Sequence, residues 1–193
     1  MLNEADYKKI VDELVDKGKM LSEVHSRANS LREVLRDHAS KSVAHTMCVT
    51  CFDVKEGKII NVVGAFETMP EDPDEKANMF MQIGIDLTGK GLYPIVVGLT
   101  TEAWMSVAKK GEEINPRASQ DPDRKEVVVI SSTSIAGVTV GELFALEREE
   151  NDTVQLGDPI VQSEDAQMVS NLAAEVFRGF VLATQKKGEQ HGS

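Results

Sequence analysis

The chain has little cysteine and no long apolar run. Its two cysteines, Cys48 and Cys51, are too few for a disulfide framework, which is typical of a reducing compartment. No stretch approaches the ~20 apolar residues that a membrane-spanning helix needs. The N-terminal sequence MLNEADYKKI carries acidic residues where a signal peptide has a basic and then an apolar segment. The sequence therefore predicts a cytoplasmic protein without a membrane partner.

Basic residues are outnumbered, with 21 Lys and Arg against 32 Asp and Glu. The formal net charge is −11, and between Glu142 and Asp165 eight acidic residues are balanced only by Arg148. Such a surface repels the phosphate backbone of nucleic acids, whose binding requires lysine and arginine. We therefore predict no nucleic-acid partner. The acidic segment is interpreted as a solubilising face, with a basic protein partner or mimicry of a nucleic-acid surface as alternatives.

Well-marked catalytic motifs are missing. No G-x-S-x-G and no H-E-x-x-H occurs, and the segment GIDLTGK at residues 84–90 is followed by Gly91 instead of the Ser or Thr that completes a P-loop, which disfavours the better-marked hydrolase, nucleotide-binding and zinc-protease classes. His45, Cys48 and Cys51 have spacings that suit zinc or a dithiol, but on a strand Cys48 faces away from the other two. We predict that these three side chains serve packing.

A second set of residues resembles a magnesium site. Asp53, Glu56 and Lys58 match the acidic and basic residues with which many nucleases hold magnesium. They fall at the tip of a predicted hairpin, where such residues are ordinary turn chemistry. The sequence thus predicts no metal, no cofactor and no catalytic residue, and it favours a protein that is not an enzyme.

What the sequence does contain is the composition of a globular protein. The chain has 193 residues, of which 41% are hydrophobic and 27% charged, values close to those of ordinary folded domains. We predict an N-terminal helix over residues 1–40, a single α+β domain over residues 41–187 and a frayed tail over residues 188–193.

The N-terminal segment shows a heptad pattern. Steps of three and four residues from Tyr7 to His38 meet mainly apolar side chains, and Gly18 is a point where the helix could bend or divide. A helix on a globular core usually has a wider apolar stripe, so this narrow seam favours a homo-oligomer or a protein partner. The alternative is packing on the chain's own sheet. The predicted interface residues are Tyr7, Ile10, Leu14, Leu21, Val24, Leu31 and Leu35.

The remaining pattern predicts two hairpins, a central strand and two more helices. The continuously apolar segment 94–100 is typical of a strand covered on both faces. Asp72, Pro73 and Glu75 form a helix start. The predicted fold is α+β with an approximately five-stranded mixed sheet, a long N-terminal helix, a middle crossover helix and a C-terminal helix. The predicted hairpins cover residues 43–67 and 126–149, and the last helix begins at Ser163.

A long connection follows the central strand. Connections of this length are often binding loops or lids, and Trp104 is the only tryptophan of the chain. If the middle helix creates a parallel strand pair, this connection leaves the edge of the sheet where ligands of α/β proteins bind. The alternative is ordinary turn chemistry, with Trp104 covering the core. The candidate ligand-binding residues are Glu102, Trp104, Arg117, Asp123 and Arg124.

The segments PIVVGLTTEAWM and PRASQDPDRKEVVVISS carry a resemblance. They resemble uncharacterised small prokaryotic and phage proteins, which share an apolar strand ending in Glu-Ala-Trp-Met and a loop rich in Pro, Asp and Arg before a hairpin. The resemblance implies no activity. The leading interpretation is a non-catalytic cytoplasmic domain that oligomerises or binds a protein. The alternative is a small-ligand-binding protein or enzyme with its site in residues 102–125.

Overall fold

A six-stranded antiparallel sheet lies between helices in the computed structural model, which describes residues 4–106, 121–160 and 171–190. The helices are α1 (Glu4–Leu14), α2 (Lys17–His38), α3 (Pro73–Gly89) and α4 (Asn171–Gln190). The strands are β1 (His45–Asp53), β2 (Lys58–Phe66), β3 (Leu92–Met105), β4 (Lys125–Ser134), β5 (Thr139–Arg148) and β6 (Val154–Pro159), in the spatial order β2-β1-β3-β4-β5-β6. The predicted α+β class is confirmed, and no helix in these ranges is long and apolar enough to cross a membrane.

The N-terminal helix is divided close to the predicted position. Asp16 has extended backbone, and its carboxylate accepts a hydrogen bond of 2.9 Å from the backbone N–H of Lys19. This is the arrangement of an N-cap, which satisfies a backbone donor at the start of a helix. The cap separates α1 from α2, so the break precedes Gly18 instead of lying at it.

Both predicted hairpins and the helix start at Asp72 are present. β1 pairs with β2 from His45–Phe66 to Asp53–Lys58, and β4 pairs with β5. The Asp72 carboxylate accepts hydrogen bonds from the N–H groups of residues 74 and 75 at 2.9 and 3.0 Å. Pro73 occupies the first turn of α3, where its missing N–H costs no hydrogen bond.

The predicted mixed sheet of about five strands matches the structure only in part. Every neighbouring pair of strands is antiparallel. The chain crosses over β1 through α3, so β2 and β3 lie on opposite edges of β1 and do not pair with each other. The ligand-binding edge of a parallel sheet therefore does not exist here. The sixth strand, β6, pairs with β5 inside the acidic segment. It is short, and only Val154 and Leu156 give it a buried face.

Each face of the sheet has its own core. α2 covers β4, β5 and β6 on one face, and α3 and α4 cover the central strands on the other. The first core contains Met20, Val24, Ala28, Leu35, Val128, Ile130, Phe144 and Val154, and the second contains Val49, Cys51, Phe80, Leu87, Val97, Ala173 and Val176.

The position of α2 leaves part of the sheet open. Because α2 lies over β4 to β6, the same face of the β1–β2 hairpin has little cover. Val63 on β2 is 71% exposed and Ile59 on the same face of β2 is 37% exposed. An apolar strand face beside an apolar helix thus forms a concave surface.

Candidate functional site

A groove of about 440 Å³ lies between the C-terminal half of α2 and the open face of the β1–β2 hairpin. This volume falls in the range of small-molecule sites, roughly 300–1,000 Å³. The helix contributes four residues after Arg27, and β1, β2 and β3 contribute the opposite side. The lining consists of Arg27, Ser30, Leu31, Val34, Leu35, Ser40, Ser42, Ala44, Thr46, Met47, Cys48, Val63 and Thr100. We call this surface the groove.

Arg27 is the charged group of the groove lining. Its Nη2 donates to the carbonyl oxygen of Ser131 at 2.8 Å and to the Ser132 hydroxyl at 2.7 Å, and its Nη1 donates to the carbonyl oxygen of Leu99 at 3.4 Å. Burial lowers the pKa of Arg27, because desolvation penalises the charged form. Within the part of the chain that the structure describes, the buried Nε–H of Arg27 has no hydrogen-bond partner.

Gly98 makes room for the guanidinium. A Cβ atom at Gly98 would stand 2.6 Å from Nη1 of Arg27, closer than such atoms approach in folded proteins. Strand register places Cys48 on one side of Gly98 and Ser132 on the other. Arg27 therefore lies over a row of small residues that crosses the middle of the sheet.

Cys48 lines the groove beside Arg27. Burial raises the pKa of the Cys48 thiol, although the positive charge of Arg27 acts in the opposite direction. Cys48 is therefore a neutral thiol at neutral pH and a poor nucleophile. Cys51 lies in the core on the other face of the sheet, where burial raises its pKa to about 12.

The two cysteines thus point to opposite faces, as strand alternation predicts. Within residues 4–106, 121–160 and 171–190, no three His, Cys, Asp or Glu side chains come together as a metal site requires. Asp53 acts in the turn after β1, where its carboxylate accepts from the N–H groups of residues 55 and 56. Lys58 lies 3.6 Å from the Glu56 carboxylate, so these residues form ordinary turn contacts.

Two of the predicted ligand-binding residues are in contact. The guanidinium carbon of Arg124 lies 4.5 Å from the centre of the Trp104 ring, which is a cation–π distance. Trp104 is 41% exposed. The backbone N–H of Asp123 donates to the Asp121 carboxylate, and Arg117 lies outside the residues that the structure describes. A ligand site in residues 102–125 stays a prediction.

Glu102 belongs to an ionic cluster at the end of the sheet. Its carboxylate accepts from the N–H of Val43 at 3.2 Å and lies 3.6 Å from Arg148. Arg148 also binds both carboxylate oxygens of Glu126, at 2.5 and 2.9 Å. These contacts join β3, β4 and β5 to the connection after α2, so Glu102 has a structural role at this edge.

The predicted oligomer seam is partly used by the chain itself. Val24 and Leu35 are buried in the core under α2, and Ile10, Leu14 and Leu31 pack against that core while remaining partly exposed. Leu21 is partly exposed and lies outside this core cluster. Tyr7 belongs to α1, and its side chain lies outside the described residues. Self-association through this seam stays a prediction.

Sequence reasoning did not identify the groove, although two signals were present. Arg27 is spaced three residues from Val24 and four from Leu31, so a charge falls on the apolar face of the helix. Gly98 interrupts an otherwise apolar strand, which often marks a close approach by another group. Only the fold brings these two residues together.

No family model matches the chain, and neither a curated protein nor a solved structure matches it.

Proposed function

We propose that this protein is a non-catalytic binding domain that holds a small apolar molecule in the groove. The observation that carries the proposal is the groove itself, a concave surface of about 440 Å³ between α2 and the β1–β2 hairpin. A largely apolar pocket with a few converging polar groups and shifted pKa values is the usual form of a ligand site. Arg27 and Cys48 supply those groups here.

Binding fits the groove better than catalysis does. The lining residues include hydroxyls and one thiol, but no histidine or carboxylate among those that the structure describes. General acid–base catalysis needs a group that gains and loses a proton near neutral pH. The Cys48 thiol has a raised pKa and the Arg27 guanidinium stays protonated, so neither meets that requirement.

A neutral fluorescent probe tests this function. We expect N-phenyl-1-naphthylamine to bind at one site per chain, with the rise in fluorescence that follows its removal from water. Val63→Glu should weaken this binding by about tenfold or more, because a carboxylate at the wall of an apolar site must lose water when the probe enters. Val63 is 71% exposed, so the substitution leaves both cores intact.

Ile59→Glu is the matched control. Ile59 lies on the same face of β2, is 37% exposed, and does not line the groove. Binding in the Ile59→Glu variant should equal that of the unchanged chain. Failure of the probe to bind, or equal loss of affinity in the two variants, would contradict the proposed function.

Self-association through the N-terminal helices is the second candidate function. Leu21 favours it, because this leucine is partly exposed on α2 without belonging to the core beneath. Native mass spectrometry should then find a multiple of 21.1 kDa, and Leu21→Glu should shift the population to the single-chain mass. Ser22→Glu adds the same charge at an exposed neighbour and should leave the mass unchanged. A single-chain mass for the unchanged protein at micromolar concentration would exclude this candidate.

A further inference from the structure

We infer that the molecule held in the groove is a monoanionic amphiphile, an aliphatic carboxylate whose head group binds Arg27 and whose apolar body lies against Leu31, Val34 and Val63. This inference rests on the proposed function and adds the chemical class of the ligand. It follows from the charge of Arg27, its unused donors and the lining of the groove.

The charge of Arg27 lacks a partner of opposite sign. Its hydrogen bonds go to two carbonyl oxygens and one hydroxyl, and no carboxylate lies within ion-pair distance of it in the described ranges. Glu23 acts on Arg27 only through a longer-range attraction. A buried cation without a counter-charge is unfavourable, and a bound carboxylate would supply that charge.

The guanidinium also has unused donors. It carries five N–H groups, and the structure gives it three hydrogen bonds, two from Nη2 and one from Nη1. The Nε–H is buried and makes no hydrogen bond to any residue that the structure describes. Guanidinium groups bind carboxylates through their N–H donors. Because the Nε atom is buried, the donor left for a head group in the groove is the second N–H of Nη1.

The rest of the groove selects a single charge on an apolar body. Arg27 is the one ionic side chain among the described lining residues, and most of the surface around it is apolar. A phosphate dianion would bring a second negative charge that no other cation in this lining meets. The net charge of −11 further disfavours multiply charged anions. An aliphatic carboxylate matches one cation and an apolar wall.

Reaction of Cys48 with a maleimide reports occupancy of the groove. Cys48 is half-buried in the lining, whereas Cys51 is fully buried on the opposite face, so the folded chain should react at Cys48 alone. We expect decanoate, below its micelle concentration, to protect Cys48. Decanol has the same chain without the charge, and equal protection should require about tenfold more decanol, since hydrogen bonds to charged groups are stronger than neutral ones.

Two variants locate the preference for the carboxylate. In Arg27→Gln, decanoate should protect Cys48 no better than decanol does. The labelling rate of Cys48 with each ligand is compared with the rate of the same variant without ligand. Gly98→Ala keeps the arginine but places a methyl group 2.6 Å from the present position of Nη1. The guanidinium must therefore move, and the variant should also lose the preference. Circular dichroism tests whether each variant is folded. If Arg27→Gln does not fold, Gly98→Ala alone tests whether Arg27 is the source of the preference for the carboxylate. A folded Gly98→Ala variant with the full preference overturns the inference.

The outcomes separate the ligand class from the proposed function. Equal protection by decanol and decanoate in the unchanged chain overturns the assignment of the carboxylate to Arg27 and leaves a groove for neutral molecules. Protection by an apolar peptide through its C-terminal carboxylate, with none by decanoate, also overturns the assignment, in favour of a protein partner. If neither decanoate nor decanol protects Cys48 in the unchanged chain, and N-phenyl-1-naphthylamine does not bind, the proposed function itself is contradicted.

Discussion

Arg27 and Gly98 depend on each other across the sheet. The guanidinium reaches carbonyl and hydroxyl oxygens of β3 and β4 only because Gly98 has no side chain beneath it. A larger residue at position 98 would displace the charge, and an apolar residue at position 27 would leave the acceptors without their present donor. The pair therefore fixes a positive charge beside the groove, which is the feature from which the ligand class was inferred.

The two cysteines should differ sharply in reactivity. In the folded chain we expect Cys48 to react with a maleimide, and Cys51 to react only after unfolding, because burial raises its pKa to about 12. The raised pKa of Cys48 lowers its thiolate fraction, so at pH 8 it should react more slowly than a free cysteine. The labelling rate of Cys48 should still increase with pH in the range where the labelling rate of free cysteine has already levelled off.

Mass spectrometry of peptides from chain labelled at several pH values measures these rates site by site. Cys48→Ser provides the control, since the folded variant should take up no label. A Cys48 rate that levels off at a lower pH than the rate of free cysteine would contradict the direction of its pKa shift. Rapid labelling of Cys51 in folded protein would contradict its position in the core.

Trp104 provides a second measurement at the residue scale. The guanidinium carbon of Arg124 lies 4.5 Å from the centre of the Trp104 ring and covers one face of the indole. Even with this cover, Trp104 is 41% exposed. Arg124→Ala should therefore increase quenching of tryptophan fluorescence by acrylamide, and Trp104 is the only tryptophan that contributes. Lys125→Ala, at an exposed neighbour, should leave quenching unchanged. Equal quenching in both variants would mean that the stacked contact is absent in solution.

At the scale of elements, α3 and α4 touch backbone to backbone. A Cβ atom at Gly84 would stand 2.0 Å from the carbonyl oxygen of Val176, and one at Gly179 would stand 2.0 Å from that of Met81. The two helices therefore cross at a pair of glycines, one on each. This close approach explains how Phe80 and Val176 come to share the core on that face of the sheet.

Alanine substitutions in α3 test this crossing. Gly84→Ala should lower the free energy of unfolding by about 1–3 kcal/mol, the usual cost of overpacking. Gly89→Ala, in the same helix but with open space around its Cβ position, should be neutral or stabilising by about 0.5 kcal/mol. Urea denaturation of both variants measures the difference. A neutral Gly84→Ala would show that the helices lie further apart.

Neighbouring residues test the packing of α2. Leu35 is 3% exposed in the core beneath the helix, and Val34 is 49% exposed. Leu35→Ala should lower the free energy of unfolding by about 2–5 kcal/mol, whereas Val34→Ala should change it by less than about 0.5 kcal/mol. If denaturation showed equal effects, α2 would not lie on the sheet as it does in the structure.

At the scale of the whole molecule, the sequence predicts what short-range rules determine. The turn between β1 and β2, the cap at Asp72 and the central position of β3 follow from residue types and hydrophobic patterns within a few positions. The antiparallel order of all strands does not, because it depends on which edge of β1 the chain joins after α3. β6 was missed because its six residues lie among acidic ones and alternate only briefly.

The candidate site was even less accessible to sequence reasoning. Trp104 and Arg124 could be paired because they flank one connection. The groove instead joins residues from α2, β1, β2 and β3, and its existence depends on α2 being placed over β4 to β6 rather than over the hairpin. A lateral position of this kind is set by tertiary packing, which no local pattern encodes.

Methyl-resolved NMR during a titration with decanoate tests the central claim most directly. We predict that the methyl signals of Leu31, Val34 and Val63, which line the groove, shift together and saturate at one ligand per chain. The methyl signals of Ile59 and Val181 should remain unchanged, because these exposed side chains lie elsewhere on the surface. Shifts confined to residues outside the groove, or no saturable shift at all, would contradict a binding function at this site.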